Sequence, residues 1–384
     1  MASPNTLNSL IPTLYAAADV VSRELVGFIP AVTRDSRIDR VALNQTVNVP
    51  VVGAITPVSI TPGAYSPDTG GATPGNVAVT ISNQFQAPIA WNGDEQIAVS
   101  ETGIYENVVT QRFAQGMRAV VNLVEADLAA LHVNASRAYG TYNTQPFGTA
   151  GDLSDMAQVV KILEDNGAPQ TDLRAVLSSS AIANIRGKQS ALFKVNEAGT
   201  DQMLRRGIIG DIFGVGLGQS AQVKTGVAVG TGASYTTNTA GYAVGATAIT
   251  LITGTGTILA GDIVTFAGDT NKYVVGTALT GGVVTLQEPG LRQAIPASAT
   301  AISITAATDR NMVFSKSSIV LATRSPYMPE GGDQADDVMD IVDPVSGLSF
   351  QVAMYRQYRQ VHFEVALAWG MKMIAPRHSA LLIG

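Results

Sequence analysis

Three histidines, His132, His362 and His378, are the side chains best suited to acid-base work or metal ligation in this sequence. None is paired with another at metal-ligand spacing, such as the four-residue step that puts two imidazoles on one helix face. A surface or hydrogen-bonded structural role is the simpler reading of each. The chain has no cysteine, which removes disulfides, thiolate metal sites and thiol nucleophiles together. Gly187-Lys188 lacks both the glycine pattern before it and the Ser or Thr after it that a phosphate loop needs. Gly214-Val215-Gly216-Leu217-Gly218 misses the dinucleotide spacing, and no Gly-x-Ser-x-Gly elbow occurs. Asn44-Gln45-Thr46 and Asn134-Ala135-Ser136 match a glycosylation triplet that chance often produces. No convergent acid, base or nucleophile set is left, so the sequence argues against an enzyme and implies no cofactor or metal.

Charge placement is more informative. Glu330, Asp333, Asp336, Asp337, Asp340 and Asp343 are acids with no base among them; they account for the whole net charge of -6, and the remainder balances. In a helix, Asp333, Asp336, Asp337 and Asp340 would stack like charges three and four residues apart, so a loop is expected over 330–343. Three readings stay open: a solvated surface loop, an inter-subunit salt-bridge partner, or a divalent-cation site, the last weakened by the absence of alternating oxygen ligands. Arg34, Arg37 and Arg40 are the obvious complement. The candidate inter-subunit contacts are therefore Arg34, Arg37, Arg40, Glu330, Asp333, Asp336, Asp337 and Asp340. Tyr355, Arg356, Tyr358 and Arg359 have the types for base stacking, but a strand junction with solvated arginines is the better reading in a neutral body.

That neutral body lacks the basic field that drives sequence-independent nucleic-acid binding. Charged residues make up 14% of the chain, against about 25% in ordinary soluble domains. The surface is either small or covered by other chains. The start, MASPNTLNSL, has no basic residue before Arg23 and no apolar run, and no stretch approaches a membrane span. A protein made and used inside a cell is expected.

The elements that would carry these residues follow from periodicity. An amphipathic helix begins near Pro12, with Leu14, Ala18, Val21, Leu25 and Phe28 on one face, and Pro30 is expected to end it. Val47, Val49, Val51 and then Val77, Val79, Ile81 alternate as strands of a long hairpin with a Pro- and Gly-rich tip over 61–75. Such a ribbon is marginal alone and should lie on something else. Residues 101–139 read as one strut helix: Tyr105, Val109, Phe113, Met117, Val120, Val124, Leu128 and Leu131 form an apolar stripe. Glu106, Arg112, Arg118, Asn122 and Glu125 fall on its other faces, and Gly140 supplies a stop. Its length would be on the order of 55 Å.

A helix from Asp152, a strand Ala175–Leu177, a short helix at Ala181–Ile185 and the segment Ile208–Gly214 form a mixed α+β layer. Composition changes near 226. Residues 226–306 contain five charged side chains but 16 Thr and 13 Gly, with short strands at Ala248–Leu251, Asp262–Phe266, Lys272–Val275 and Val283–Leu286. This is an all-β insert, a small sandwich or barrel, which interrupts a layer resuming at Asn311–Phe314 and Ile319–Leu321. Leu348, Phe350, Val352 and Met354 alternate, as do Val361, Phe363, Val365, Leu367 and Trp369, giving a closing strand pair limited by Pro376.

This order, with Asn311-Met312-Val313-Phe314, Ile319 to Pro326, Asp343-Pro344-Val345-Ser346-Gly347-Leu348-Ser349-Phe350, Ala368-Trp369-Gly370 and Ala375-Pro376, resembles the major capsid (coat) proteins of tailed double-stranded-DNA bacteriophages. Their fold is the Hong Kong 97 type, and the likeness is nearest to the short-tailed Salmonella-type branch with an inserted β domain. The resemblance implies an α+β fold in which 1–33 is an N-terminal arm, 34–100 the extended E-loop hairpin with flanking strands, and 101–149 the spine helix of a peripheral domain. It places 150–225 and 307–340 in an axial domain, 226–306 in the insert, and 341–384 in peripheral strands. It also implies a subunit of pentamers and hexamers in an icosahedral virion shell, assembled in a host bacterial cytoplasm with scaffolding and portal proteins as partners. The shell would enclose double-stranded DNA without binding it specifically, and no membrane is involved. Some family members cross-link through an E-loop lysine; the first lysine here is Lys161, so the shell would be held non-covalently. The competing reading is a β-rich carbohydrate-binding adhesin or capsid decoration protein using the Thr/Gly-rich insert, which would not need the strut helix and terminal strand pair.

Overall fold

The computed structural model describes residues 12–17, 26–51, 75–100, 105–189, 211–329, 335–342 and 347–384. The chain is mixed α and β, and rich in β. Its strands in order are β1 Thr33–Val41, β2 Thr46–Val51, β3 Gly75–Thr80, β4 Asn83–Asn92, β5 Arg137–Gly140, β6 Leu173–Leu177, β7 Asp211–Ile212 and β8 Val215–Gln219. Then come β9 Thr236–Thr237, β10 Ala248–Ile252, β11 Ile263–Phe266, β12 Lys272–Thr280, β13 Val283–Leu286 and β14 Ile302–Ile304. The last six are β15 Arg310–Ser315, β16 Ile319–Pro326, β17 Asp337–Val342, β18 Ser349–Gln357, β19 Gln360–Met373 and β20 Ser379–Ile383.

The strut helix spans Tyr105–Ala130, about 39 Å at ~1.5 Å per residue, shorter than the expected 101–139. Its end is not at Gly140. A 3₁₀ turn takes over at Leu131–Asn134, where His132, Val133 and Asn134 are weaker helix formers, and the chain then extends as β5. The apolar stripe is as expected: Val109, Phe113, Met117, Val120, Val124 and Leu128 are all buried. It packs between two sheets. On one side lie Phe350, Val352, Met354, Phe363, Val365, Leu367 and Trp369, on the other Val176, Met312, Phe314 and Leu381, all in one continuous core. Phe113 meets Phe363 edge-on at 5.5 Å between ring centres. Each such side chain removed from water contributes roughly 1.5–3 kcal/mol.

The first sheet has six strands. Long β19 pairs with β4 along one side and with β18 and β16 end to end along the other, β17 and β1 completing the two ends. The alternation read in β18 and β19 is present, but Ser349, Gln351 and Ala353 are buried too, so β18 is covered on both faces. Segment 337–342 is a strand and not the expected loop. A strand removes the repulsion that argued against a helix, because Asp337 and Asp340, three residues apart, fall on opposite faces.

The second sheet has twelve strands and runs β7-β8-β6-β15-β20-β5-β12-β13-β10-β9, with β11 and β14 attached through β12. Helices Ser154–Asp165 and Ser179–Lys188 cover its outer face through Met156, Val159, Leu163, Ile182 and Ile185, against Leu173, Ala175, Val313 and Leu382. The insert's strands bury their own cluster, including Ile249, Val264, Phe266, Val275, Val284 and Leu286. They are not a separate sheet: Lys272 pairs with Ala138 and Tyr273 with Arg137, so β12 continues the layer the insert interrupts. Sheet membership also crosses the expected divisions. Strand β16, within 307–340, and β17, which straddles the boundary at 340, sit in the six-stranded sheet with β18 and β19. Strand β20, not anticipated beyond Pro376, lies between β15 and β5 in the other.

The expected hairpin strands β2 and β3 pair antiparallel, Val47 with Val79 and Val49 with Val77, as a two-stranded sheet of their own. Its tip, apart from Gly75, lies outside the described residues. Near the N-terminus residues 12–17 are helical, whereas 18–25 are not described. Pro30 does not end a helix; it sits in the first turn of a short one, Phe28–Ala31, where a missing N–H costs nothing.

Candidate assembly interface

Strand β1 carries the candidate arginines. It runs parallel to β16, Arg34 opposite Leu321 and Arg40 opposite Ser325, with the register shifting between Ser36 and Arg40. Strand β17 carries the described acids and pairs antiparallel with β18. Because β16 and β18 share one side of β19, the ends of β1 and β17 meet. Arg40 Nη2 lies 3.8 Å from Asp340 Oδ2, and the Ser325 hydroxyl donates to Asp340 Oδ1 at 2.7 Å. Arg356 Nε lies 3.1 Å from Asp336 Oδ2. Asp337 is half-buried opposite Met354. Arg34 is half-buried beside Gly347, whose φ of +66° is left-handed and where an added Cβ would sit 3.0 Å from the guanidinium. Arg37 lies in the bulged stretch of β1. Glu330 and Asp333 lie outside the described residues. Asp336 and Asp340 thus have basic partners within their own chain; a neighbour is not required to balance them.

Three features position this sheet, and the sequence did not single them out. Glu125, expected on a polar face of the strut helix, is 1% exposed. Its carboxylate accepts from the backbone N–H groups of Gly27 at 3.3 Å, Phe28 at 3.0 Å and Ile29 at 2.7 Å, and from the Ser220 hydroxyl at 2.8 Å. One side chain thereby ties the short helix before β1 and the end of β8 to the strut. Burial pushes its pKa up, and the hydrogen bonds pull the other way. Two residues later, Asp127 Oδ2 accepts from Trp369 Nε1 at 2.9 Å and from Asn83 Nδ2 at 2.7 Å, joining β19 and β4 to the same helix. Arg324, 2% exposed, holds β1 against β16 through Asp35 at 3.0 Å. The sequence signal for the two carboxylates was faint: acids inside an otherwise apolar stretch, at Glu125 and Asp127.

Among the described residues the hairpin is held most firmly at its root. Val79, Ile81 and Val41 pack on Val320, Ala322 and Ala368, and Gly370 admits the close approach, since a Cβ there would lie 2.1 Å from Thr80 O. Half-buried Val47 and Val49 pack on the same cluster, and Lys372 Nζ donates to Ala78 O at 3.2 Å. Beyond the root most positions of β2 and β3 are exposed. A groove of about 350 Å³ opens nearby between β4, β18 and the stretch after β16, with Leu43, Phe85 and Tyr327 among its walls; these three are roughly half-exposed.

The histidines do not converge. His132 is buried with Nδ1 3.1 Å from Ala129 O, His362 lies 3.1 Å from Glu364, and His378 follows β19 in a 3₁₀ turn. Among the described residues no three His, Asp or Glu side chains are grouped to hold a metal ion, and no helix is long and apolar enough to cross a membrane. Arg112 stacks 4.1 Å over the Trp91 ring, a packing contact.

No family model matches the chain, and no curated protein matches it in sequence. Solved structures similar to it include one from Mycobacterium phage Che8, at 12% identity and a TM-score of 0.45, covering 88% of this chain and 84% of that one. The capsid of the cyanophage P-SCSP1u is also 12% identical with a TM-score of 0.45, covering 92% and 86%. A virus-like particle from Pyrococcus furiosus is 9% identical with a TM-score of 0.42, covering 98% of each chain. At such TM-scores the superpositions carry no argument by themselves. They are structures this chain is similar to, and capsids and a virus-like particle are among them.

Proposed function

We propose that this chain is a major capsid protein: a subunit that assembles with copies of itself into a closed icosahedral shell of pentamers and hexamers around double-stranded DNA. Scaffolding and portal proteins as partners, and the virion as its location, belong to the same reading. One observation carries it. The β2–β3 ribbon forms a sheet of its own that packs on its own chain through Val47, Val49 and Val79, while most of its other described positions are exposed. An isolated two-stranded ribbon is marginal in water, so its stability has to come from another surface. The low charge of the chain and the half-exposed Leu43, Phe85 and Tyr327 fit a surface that neighbours cover, as obligate interfaces are core-like. The neutral body fits a container that does not grip phosphate.

Electron microscopy and sedimentation of the full chain, alone and with co-expressed assembly factors, test the reading. Shells or capsomers are expected; a strictly monomeric product under every condition overturns it. Within the reading, the acids at 336–340 face a neighbour as well as their own arginines. Asp336→Lys with Asp337→Lys should then reduce shell yield while leaving the melting temperature of the unassembled subunit nearly unchanged. An undiminished yield would confine these acids to their in-chain partners.

A further inference from the structure

The end of the strut helix, strand β15 and the base of the insert meet over three buried ionisable side chains. His132 is 6% exposed, Asp262 2% and Arg310 1%. The insert enters and leaves beside them: Val227 N–H donates to Thr308 O at 3.2 Å, Arg310 N–H to Lys224 O at 2.8 Å, and Gly226 N–H to Asp309 Oδ1 at 3.1 Å. Across the seam Gln287 Nε2 donates to Val133 O at 3.2 Å. Gly261 comes so near the turn that a Cβ would lie 3.0 Å from Val133 Cγ2.

The hydrogen bonding of the three side chains is uneven. Asp262 accepts from Leu259 N–H at 2.7 Å and from Gly230 N–H at 3.1 Å. His132 donates from Nδ1 to Ala129 O, which leaves Nε2 as the site for a second proton. Arg310 has no hydrogen-bond partner on Nε, Nη1 or Nη2; the counter-charge acting on it is the Asp262 carboxylate. Arg310 and Lys224 are the charges that act on His132. Strand β12 also packs on the 3₁₀ turn, but its polar ends are engaged elsewhere: Lys272 donates to Gly140 O, and the Tyr273 hydroxyl donates to Asp269 at 2.6 Å.

We propose that His132 is an acid-sensitive wedge in this seam: a proton on Nε2 sets a third positive charge against Arg310 and Lys224, and the insert loosens from the helix end. An isolated buried charge is among the costliest things a fold can hold, and this seam already holds one guanidinium without hydrogen bonds. Burial, with Arg310 and Lys224 adding to it, holds the imidazole down to about 4 from its ordinary 6.5. The neutral form is therefore favoured while the seam is closed. That advantage is complete above about pH 6.5 and is lost as pH falls towards 4. Asp262 acts in the opposite sense: burial raises its carboxyl, so its protonation favours closure and limits the opening at the acid end. The ratio of open to closed seam should rise on the order of a hundredfold between pH 7 and pH 4. The inference needs only the fold and stands apart from the shell-forming reading.

The chain lacks cysteine, so spin labels can be placed cleanly at Asn122→Cys on the strut and Thr280→Cys on the insert, both exposed. Electron-electron distance measurements on the full chain from pH 7 to pH 4, with circular dichroism in parallel, read the seam directly. A distance distribution that broadens below pH 6.5 is expected. It should stay narrow in His132→Asn, which keeps a donor near Ala129 O and cannot gain charge, and broaden less in Lys224→Ala. If His132→Asn folds poorly, His132→Gln replaces it. An unchanged distribution at pH 4, or equal broadening in the uncharged variant, overturns the proposal. Should the protein unfold globally in acid first, a lower unfolding pH in the uncharged variant supports it, and an identical one sinks it.

Discussion

Two regions built on the same helix treat buried charge in opposite ways. In the last turns of the strut, Glu125 accepts four hydrogen bonds and Asp127 two, from the segment before β1, the end of β8, β19 and β4. At the helix end, Arg310 makes no side-chain hydrogen bond and His132 makes one. The first arrangement fixes how the helix sits on its neighbours, because each donor it satisfies would otherwise be orphaned in the core. In the second, His132 and Asp262 bond within their own elements and Arg310 to nothing, so none of the three side chains bonds across the seam. The difference is between a joint at Glu125 and Asp127 fixed by side-chain hydrogen bonds and a joint at the insert that its buried ionisable side chains do not fix.

Substitutions can break this contrast. The largest effect should come from Glu125→Ala, which orphans three backbone N–H groups and the Ser220 hydroxyl; a loss of about 3 kcal/mol is expected in urea unfolding, with earlier proteolysis near residue 27. Glu125→Gln should retain part of that stability. A pH titration of stability comes next. The neutral His132 contribution should fall away from about pH 6.5 towards 4, by roughly 3 kcal/mol if the full shift to about 4 is realised, and His132→Asn should flatten the curve. Arg310→Met removes a guanidinium that makes no side-chain hydrogen bond but also strips buried Asp262 of its counter-charge; the two effects oppose each other, and a net change within about 2 kcal/mol is expected. A large loss there would show that Arg310 is held by partners of the kind Glu125 has. The smallest effect sharpens the hydrogen-bonded joint: Trp369→Phe removes one donor to Asp127 and should cost about 1 kcal/mol in thermal unfolding.

Much of the fold was legible because periodicity reports burial. The stripe from Val109 to Leu128, the alternation in β18 and β19 and the two alternating strands of the hairpin all follow from which residues must leave water. The acidic segment was misread for a local reason. Helix and loop were weighed against each other, whereas a strand dissolves the repulsion by sending Asp337 and Asp340 to opposite faces, with Arg40 and Arg356 supplying partners from sequence-distant strands. The helix end was misread similarly, since Gly140 looked like a stop while residues 137–140 are drawn into parallel pairing with β20. Of the candidate contacts, Arg40 and Asp340 share one site; Arg34 sits beside Gly347 instead.

By itself the sequence determined the absence of thiol chemistry, the low charge, the concentration of acid at 330–343 and the main amphipathic elements, since composition and period are local properties. Tertiary structure alone decided which charges are buried and whether they are satisfied. Glu125 looks like any other polar-face position beside the helix stripe. What distinguishes Glu125 is a set of donors nearly a hundred residues away in either direction, brought together when the apolar faces close. No local pattern encodes such a partner, because hydrogen bonding in a core depends on the three-dimensional neighbours of a group and not on its neighbours along the chain.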